Sequence, residues 1–283
     1  MKKLLITGKS SYVGTSFQNW LRNYPDRYLI DSISLRDDSW KEEDFSGYDV
    51  VFHVVGIAHI KETRENAHVY YKINRDLAFE VAKKAKDAGV KQFIFLSSMS
   101  VYGIESGVID ENTSLKPKSN YGKSKLQAEE LITTLEDEVF KVVIVRPPMI
   151  YGKNSKGNYT RLAKLAVRVP VFPNIENKRS MIYIDNLSMI IQSVIDNCDR
   201  GLLFPQNSEY VSTSKMVKLI AEAHGKKIRV TKLFNPLLNR MKKNGIVKKV
   251  FGDLIYEKKL SKYSDIQSNS LIGFEESIRL TED

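Results

Sequence analysis

Apolar residues along this chain gather in short runs, and between the runs they recur at helical spacing. KKLLITG (2–8) reads as a buried strand, Thr15 to Asn23 as a helix with Phe17, Trp20 and Leu21 on one stripe, and YLIDSISL (28–35) as a second strand. YDVVFHVVG (48–56) is apolar at successive positions, as expected of a parallel strand buried on both faces. NRDLAFEVAKKAKDAGV (74–90) predicts a helix ended by Gly89, and KQFIFLSS (91–98) a strand. SKLQAEELITTLED (124–137) is amphipathic, and FKVVIVRPP (140–148) is a strand stopped by Pro147 and Pro148. This alternation predicts an α/β protein built on a doubly wound parallel sheet.

After Gly152 the rhythm breaks. Residues 153–180 are loop-rich with one short helix, 181–197 return to strand and helix, and GLLFPQN (201–207) reads as one more strand. From Ser208 the chain is basic and helical, with VSTSKMVKLIAEAHGK (211–226) a capped helix stopped by Gly225. Two interleaved units are expected: residues 1–152 with 180–206 as the sheet domain, and 153–179 with 207–283 as a smaller, mostly α-helical lobe.

Composition narrows the class. The 283 residues are enough to bury a substantial core. Cys198 is the single cysteine, which excludes an internal disulfide and a cysteine-based zinc cluster and fits a reducing cytoplasm. No His, Asp and Glu cluster has metal-ligand spacing, so no metal is expected. The apolar run in MKKLLITGKSS is about five residues, too short for a signal peptide core, and reads as the first strand. No stretch reaches the ~20 apolar residues of a membrane span. A formal charge of +10 favours anionic partners. The lysines and arginines are spread over several stretches without a nucleic-acid-binding signature, so a phosphorylated small molecule is expected and nucleic acid is not.

Two features carry chemistry. TGKSSYVG (7–14) links the first strand to the first helix and supplies Gly8 and Gly14 for a tight turn and a close approach to a diphosphate. Ser11 stands where a third glycine would be expected; its Cβ disfavours positive φ, while its hydroxyl, like that of Ser10, can reach a phosphate oxygen. YGKSK (121–125) sets Tyr121 and Lys125 one helical turn apart, where an ammonium would lower the phenol pKa and ready it for proton transfer. Ser98 lies at the carboxyl end of a strand, the rim where open parallel sheets bind ligands. SISLRDD (32–38) places Ser34 and Arg36 where an acidic residue would select a free ribose 2′-hydroxyl, which suits a 2′-phosphate and hence NADPH, with NADH possible.

Taken in order, TGKSSYVG, DVVFHVVG, Asn74, FLSSMSVYG, YGKSK, RPPMIYG and KRSMIYIDNL resemble the extended short-chain dehydrogenase/reductases of the NAD-dependent epimerase/dehydratase type. The resemblance covers most of the chain and implies a Rossmann-like domain acting on nucleotide sugars. It implies catalysis by Ser98, Tyr121 and Lys125, with Ser98 bonding the reacting oxygen, Tyr121 exchanging its proton and Lys125 holding the nicotinamide ribose. Cofactor contacts are implied for Gly8, Ser10, Ser11, Tyr12, Val13, Gly14, Ser34, Arg36, Val54, Gly56, Asn74, Tyr121, Lys125 and Pro148. Substrate contacts are implied for Ser98, Ser100, Asn158 and Arg179. His53 falls in a buried strand without catalytic duty, and His59 and His68 flank a polar loop, His59 being a candidate substrate contact.

A dehydratase of this type needs an acidic pair beside the serine, where Met99 and Ser100 stand. KGNYTRLAKL, NKRSMIYIDNL and VFGDLIYE resemble bacterial 4-reductases of UDP-4-keto-6-deoxy-N-acetylhexosamines, enzymes of surface-polysaccharide sugar biosynthesis. The first expectation is therefore NADPH-dependent reduction of a C4 ketone of a UDP-sugar by a cytoplasmic homodimer. The alternatives are a UDP-glucose or UDP-N-acetylglucosamine 4-epimerase retaining NAD, and a non-catalytic NADP-sensing protein, which would typically lack the Tyr and Lys pair.

Overall fold

The computed structural model describes residues 1–58, 60, 62–241, 244–261 and 270–283. Two compact units account for them. The first comprises 1–103, 114–147 and 188–204, and the second 104–113, 148–187 and 205–283.

The first unit is a six-stranded parallel sheet. Its strands β1 (Lys2–Thr7), β2 (Tyr28–Ile33), β3 (Val50–His53) and β4 (Gln92–Leu96) are joined by Lys141–Val145 and Gly201–Leu203. The spatial order is β2, β1, β3, β4, 141–145, 201–203. Leu4↔Val50 through Thr7↔His53 sets the register of β1 on β3, and Val50↔Gln92 through His53↔Phe95 that of β3 on β4. Since β2 lies on one side of β1 and β3 on the other, the winding reverses at β1 and β3, and the crevice beyond their carboxyl ends is the expected ligand site.

Four helices matter to that crevice: α1 (Tyr12–Leu21), α2 (Ala67–Tyr71), α3 (Leu77–Asp87) and α4 (Asn120–Thr133). The first helix starts three residues earlier than its apolar stripe indicates, because Ser11 caps it. Its Phe17 meets Phe52 of β3 edge to face at 5.3 Å. α3 buries Ala78, Val81, Ala82 and Ala85, small side chains that form part of the sheet's core cluster. The helix expected over 74–90 is α3, and its expected start at Asn74 falls in a π-helical turn, Lys72–Asp76, that joins it to the preceding α2. Such insertions recur at functional sites, and this one contains Asn74. α4 begins at Asn120 rather than 124, so Tyr121 and Lys125 share one continuous helix.

The second unit pairs short strands in parallel: Gly107–Ile109 with Leu254–Tyr256, Met149–Tyr151 with Met181–Tyr183, and Val171–Pro173 with Arg229–Thr231. Three-residue strands carry no readable period, so a mostly helical lobe was expected here. Segments 104–113, 148–152, 180–187 and 205–206 pack in this unit, whereas the sequence grouped them with the sheet. Tyr151 anchors its core, stacked on Tyr159 at 5.4 Å and hydrogen-bonded by Asn207 at 2.9 Å.

Candidate functional site

The loop after β1 shows why it needs its glycines. Gly8 adopts φ +110°, and a Cβ there would meet Val55 at 3.1 Å and Val54 at 3.2 Å; one at Gly14 would fall 2.7 Å from the Ser11 hydroxyl oxygen. Ser11 has φ −75° and ψ 145°, extended backbone that any residue adopts, so the strain expected of a serine at this position is absent. Its Oγ accepts a 2.9 Å hydrogen bond from the Gly14 amide. Tyr12 and Val13 open α1, in the first helical turn whose amides point toward an anion. A strand end, a turn with glycine at positions 8 and 14 and a helix start thus form a cradle that fits a dinucleotide diphosphate.

At the next strand Arg36 donates to the Ser10 Oγ at 3.2 Å, and its amide donates to the Ser34 Oγ at 3.3 Å. The acidic residues nearby are engaged elsewhere: Asp31 accepts from the Tyr48 hydroxyl at 3.0 Å, and Asp37 caps the turn at Asp38–Lys41 through the Ser39 amide at 3.1 Å. A guanidinium beside the loop serine, with no carboxylate in its place, suits a ribose bearing a 2′-phosphate.

Past β3, Asn74 pins the chain. Its Oδ1 accepts from the Ile57 amide at 2.9 Å, and its Nδ2 donates to the Ile57 carbonyl at 3.2 Å and to the Ser124 Oγ on α4 at 3.1 Å. Val54 is buried, and a Cβ on Gly56 would come within 3.0 Å of the Lys125 Nζ. Lys125 is buried, donates to the Leu96 carbonyl at 2.8 Å and lies 4.5 Å from the Phe95 ring centre. Burial pushes its ammonium down to about 7, and Glu129 opposes the change.

Ser98 follows β4 and caps the short turn Met99–Tyr102. Its hydroxyl accepts from the Ser100 amide at 3.1 Å, donates to the Ser100 Oγ at 3.1 Å and hydrogen-bonds the Tyr121 phenol. Burial raises the Tyr121 pKa and the Ser98 contact lowers it, with a net rise. The lowering expected from Lys125 is absent: desolvation raises the phenol, and only Ser98 opposes it. Geometry brings Ser98, Tyr121, Lys125, Gly56 and Asn74 to one rim of the sheet. His53 is buried and neutral, its pKa pushed down to about 3 by burial and then by Lys125, with its Nδ1 2.8 Å from the Thr7 hydroxyl. His68 is exposed, and His59 lies outside the described residues.

Three supports were not found from the sequence. Glu62 accepts from the Asn120 amide at 3.0 Å and the Tyr121 amide at 3.2 Å, fixing the start of α4 under the phenol. Glu129, one turn beyond Lys125, forms a buried pair with Arg146, whose Nη2 lies 2.6 Å from Oε2 and whose Nη1 donates to the Tyr102 hydroxyl at 2.9 Å. Ser97, beside Ser98, also donates to Glu129. The four-residue spacing of Tyr121, Lys125 and Glu129 is the signal that could have found the second.

The remaining candidates lie in the second unit. Pro148 is buried at its start, Asn158 is exposed at the head of the helix Asn158–Ala166, and Arg179 donates to the Gly252 carbonyl at 3.0 Å. Arg179 is half-buried; burial lowers its pKa and Asp253 partly restores it, and a carbonyl rather than a carboxylate stands against its Nη1. Among the described residues no three His, Cys, Asp or Glu side chains gather so as to hold a metal ion, and no helix is long and apolar enough to cross a membrane.

A parallel sheet with a glycine cradle at its switch point and a Ser, Tyr and Lys cluster on its rim defines a dinucleotide-binding α/β protein. Residues 4–204 match the NAD dependent epimerase/dehydratase family, to which the chain belongs. It is 29% identical over 248 residues to a UDP-glucose 4-epimerase of Vibrio cholerae, covering 78% of this chain and 76% of that protein. Its fold is shared by the UDP-glucuronic acid 4-epimerase from Bacillus cereus in complex with NAD, at TM-score 0.74 and 20% identity over 99% of this chain and 97% of that one. It is shared equally by the dTDP-4-dehydrorhamnose reductase from Bacillus anthracis in complex with NADP, at TM-score 0.71 and 19% identity over 99% and 98%.

Proposed function

We propose that this protein is a UDP-sugar 4-epimerase of the UDP-glucose or UDP-N-acetylglucosamine type, acting through Ser98, Tyr121 and Lys125. The observation that carries the reading is the single proton relay at the rim: the Tyr121 phenol hydrogen-bonded to Ser98, with Met99 and Ser100 where a dehydratase would need acids. One reversible relay is all an epimerase requires, and the resemblance to the Vibrio cholerae UDP-glucose 4-epimerase supports the same choice.

Gly8, Gly14 and the start of α1 would hold the diphosphate of the dinucleotide, and Asn74, Gly56 and Lys125 its nicotinamide end. When bound, the dinucleotide would supply the hydride acceptor and donor for C4 of the sugar. Tyr121 takes the C4 hydroxyl proton as that carbon becomes a ketone, and gives it back after the ketone has turned over in the site. Ser98 donates to the same oxygen and orients it toward the phenol. Lys125, in a dry setting, supplies the positive charge that favours the phenolate once proton transfer begins. Arg179 and Asn158 are proposed as contacts to the nucleotide part of the substrate.

A second reading, favoured by the contact of Arg36 with Ser10, is a 4-ketoreductase that consumes NADPH. The same Tyr121 would then protonate the alkoxide formed at C4. The test incubates the purified protein with UDP-glucose and UDP-N-acetylglucosamine without added cofactor and resolves the products chromatographically. Formation of the C4 epimer with no change in the reduced-nicotinamide absorbance supports the epimerase. Inertness toward both, with stoichiometric NADPH oxidation by a UDP-4-keto sugar, replaces it with the reductase.

A further inference from the structure

The formal charge of +10 is not evenly distributed. Residues 226–252 hold nine lysines and arginines and no aspartate or glutamate, so this stretch accounts for nearly the whole excess and the rest of the chain is close to neutral. Within it, Lys232–Phe234 form a short turn followed by the helix Asn235–Arg240, and the Met241 amide donates to the Leu237 carbonyl at 3.1 Å, extending the helical turn. Leu233, Leu237 and Met241 therefore recur at four-residue spacing along one stripe, with Phe234 beside the first.

These side chains face water. Leu233 is 82% exposed, Leu237 61%, Phe234 43% and Met241 41%. Single exposed apolar residues are ordinary, but four large ones within nine positions form a patch of the kind that marks an interaction surface. The cations nearest in the chain are Lys232 and Arg240, in the same element, and Lys248 and Lys249, in the next helix, Gly245–Phe251. Lys232 faces Glu176 at 3.6 Å and Lys249 faces Glu105 at 3.8 Å, solvent-exposed contacts of little strength that leave the local field positive.

We propose that the segment 232–241, together with Lys248 and Lys249, is a peripheral docking surface for an anionic lipid bilayer. Apolar side chains on a short helix, in a stretch of sequence that carries lysine and arginine and whose acidic neighbours are only the exposed Glu176 and Glu105, match the two halves of such a surface: acyl chains for Leu233, Phe234, Leu237 and Met241, and anionic headgroups for the cations. A nucleic acid would use the cations but gains little from four exposed aliphatic and aromatic side chains, and an acidic protein would not require the stripe to be uniformly large and apolar. The surface stands independently of the reaction assigned above.

The test sediments the full-length protein with vesicles of phosphatidylcholine alone or mixed with phosphatidylglycerol, at low and high salt. The wild type is expected to pellet with the mixed vesicles, less so as salt rises, and to stay in solution with phosphatidylcholine alone. Each neutralised cation should weaken binding about fivefold, so Arg240→Gln, Lys248→Gln and Lys249→Gln together should cost about 100-fold. Leu233→Ser, Leu237→Ser and Met241→Ser together should abolish pelleting at moderate salt. The variants alter exposed positions, apart from the half-buried Lys248, and should keep the wild-type melting temperature and turnover of a soluble substrate. Failure of the wild type to bind mixed vesicles at low salt would overturn the proposal, as would undiminished binding by either variant. So would retention on duplex DNA without retention on vesicles, or a wild-type dimer that the apolar variant converts to monomer.

Discussion

The Nζ of Lys125 lies 2.8 Å from the carbonyl oxygen of Leu96, the last residue of β4. This contact ties the helix that carries Tyr121 to the strand that ends beside Ser98, and it does so with a buried lysine whose pKa is held down to about 7. Charging that ammonium is costly in the folded chain and easy in the unfolded one, where its value is near 10.5. Between pH 7 and 10.5 the unfolded state binds more protons, so this group's penalty grows as pH falls through that window and is constant below it. Lys125→Met removes the penalty. Its melting temperature relative to wild type should therefore be highest at pH 7 and below, and the gap should close as pH rises toward 10.5. Turnover should fall by about 100-fold or more.

Glu129→Ala should destabilise the protein by about 3–5 kcal/mol, because Arg146 would be left buried with a charge and no carboxylate. Urea unfolding reads this directly. Glu129→Gln, which keeps the shape and an acceptor, should cost less, and the ordering of the two variants is the check on the pair.

Ser11 should matter for the helix rather than for the dinucleotide. Its hydroxyl accepts from the Gly14 amide, so Ser11→Ala is expected to cost about 1 kcal/mol and Ser11→Gly a few tenths. Dinucleotide affinity, read by fluorescence titration, should stay within about twofold for Ser11→Gly, since the cap and not a phosphate contact is removed.

Arg36 is the residue expected to separate the two cofactors. Removing a charge-assisted hydrogen bond to a 2′-phosphate costs about 1.5–3 kcal/mol, so Arg36→Ala should raise the Kd for NADP(H) by about 10- to 100-fold and leave that for NAD(H) nearly unchanged. Equal losses for both would remove Arg36 from any 2′-phosphate contact.

Much of the sheet could be read in advance because β1, β3 and β4 are runs of buried apolar residues and α3 repeats its alanines on one face. The Tyr121 and Lys125 pair was legible because helical spacing is local. What escaped depends on partners distant in sequence: Arg146 meets Glu129 across 17 positions, Glu62 reaches Asn120 across 58, and Gly107–Ile109 finds its strand partner at Leu254–Tyr256. The sign of the Tyr121 shift escaped for a related reason. Spacing reports that a cation is one turn away, but not how deeply the phenol and the cation are both withdrawn from water.

The central claim is that C4 is oxidised and reduced again on one bound dinucleotide, with Tyr121 as the proton carrier. The most direct measurement follows a UDP-sugar bearing deuterium at C4 through a single conversion in ordinary water, with Tyr121→Phe alongside. The label should be retained at C4 of the epimer, because the hydride taken from the sugar is the one returned, and the variant should form no product beyond about 1% of the wild-type rate. Loss of the label to solvent, or near-normal turnover by Tyr121→Phe, would contradict the account.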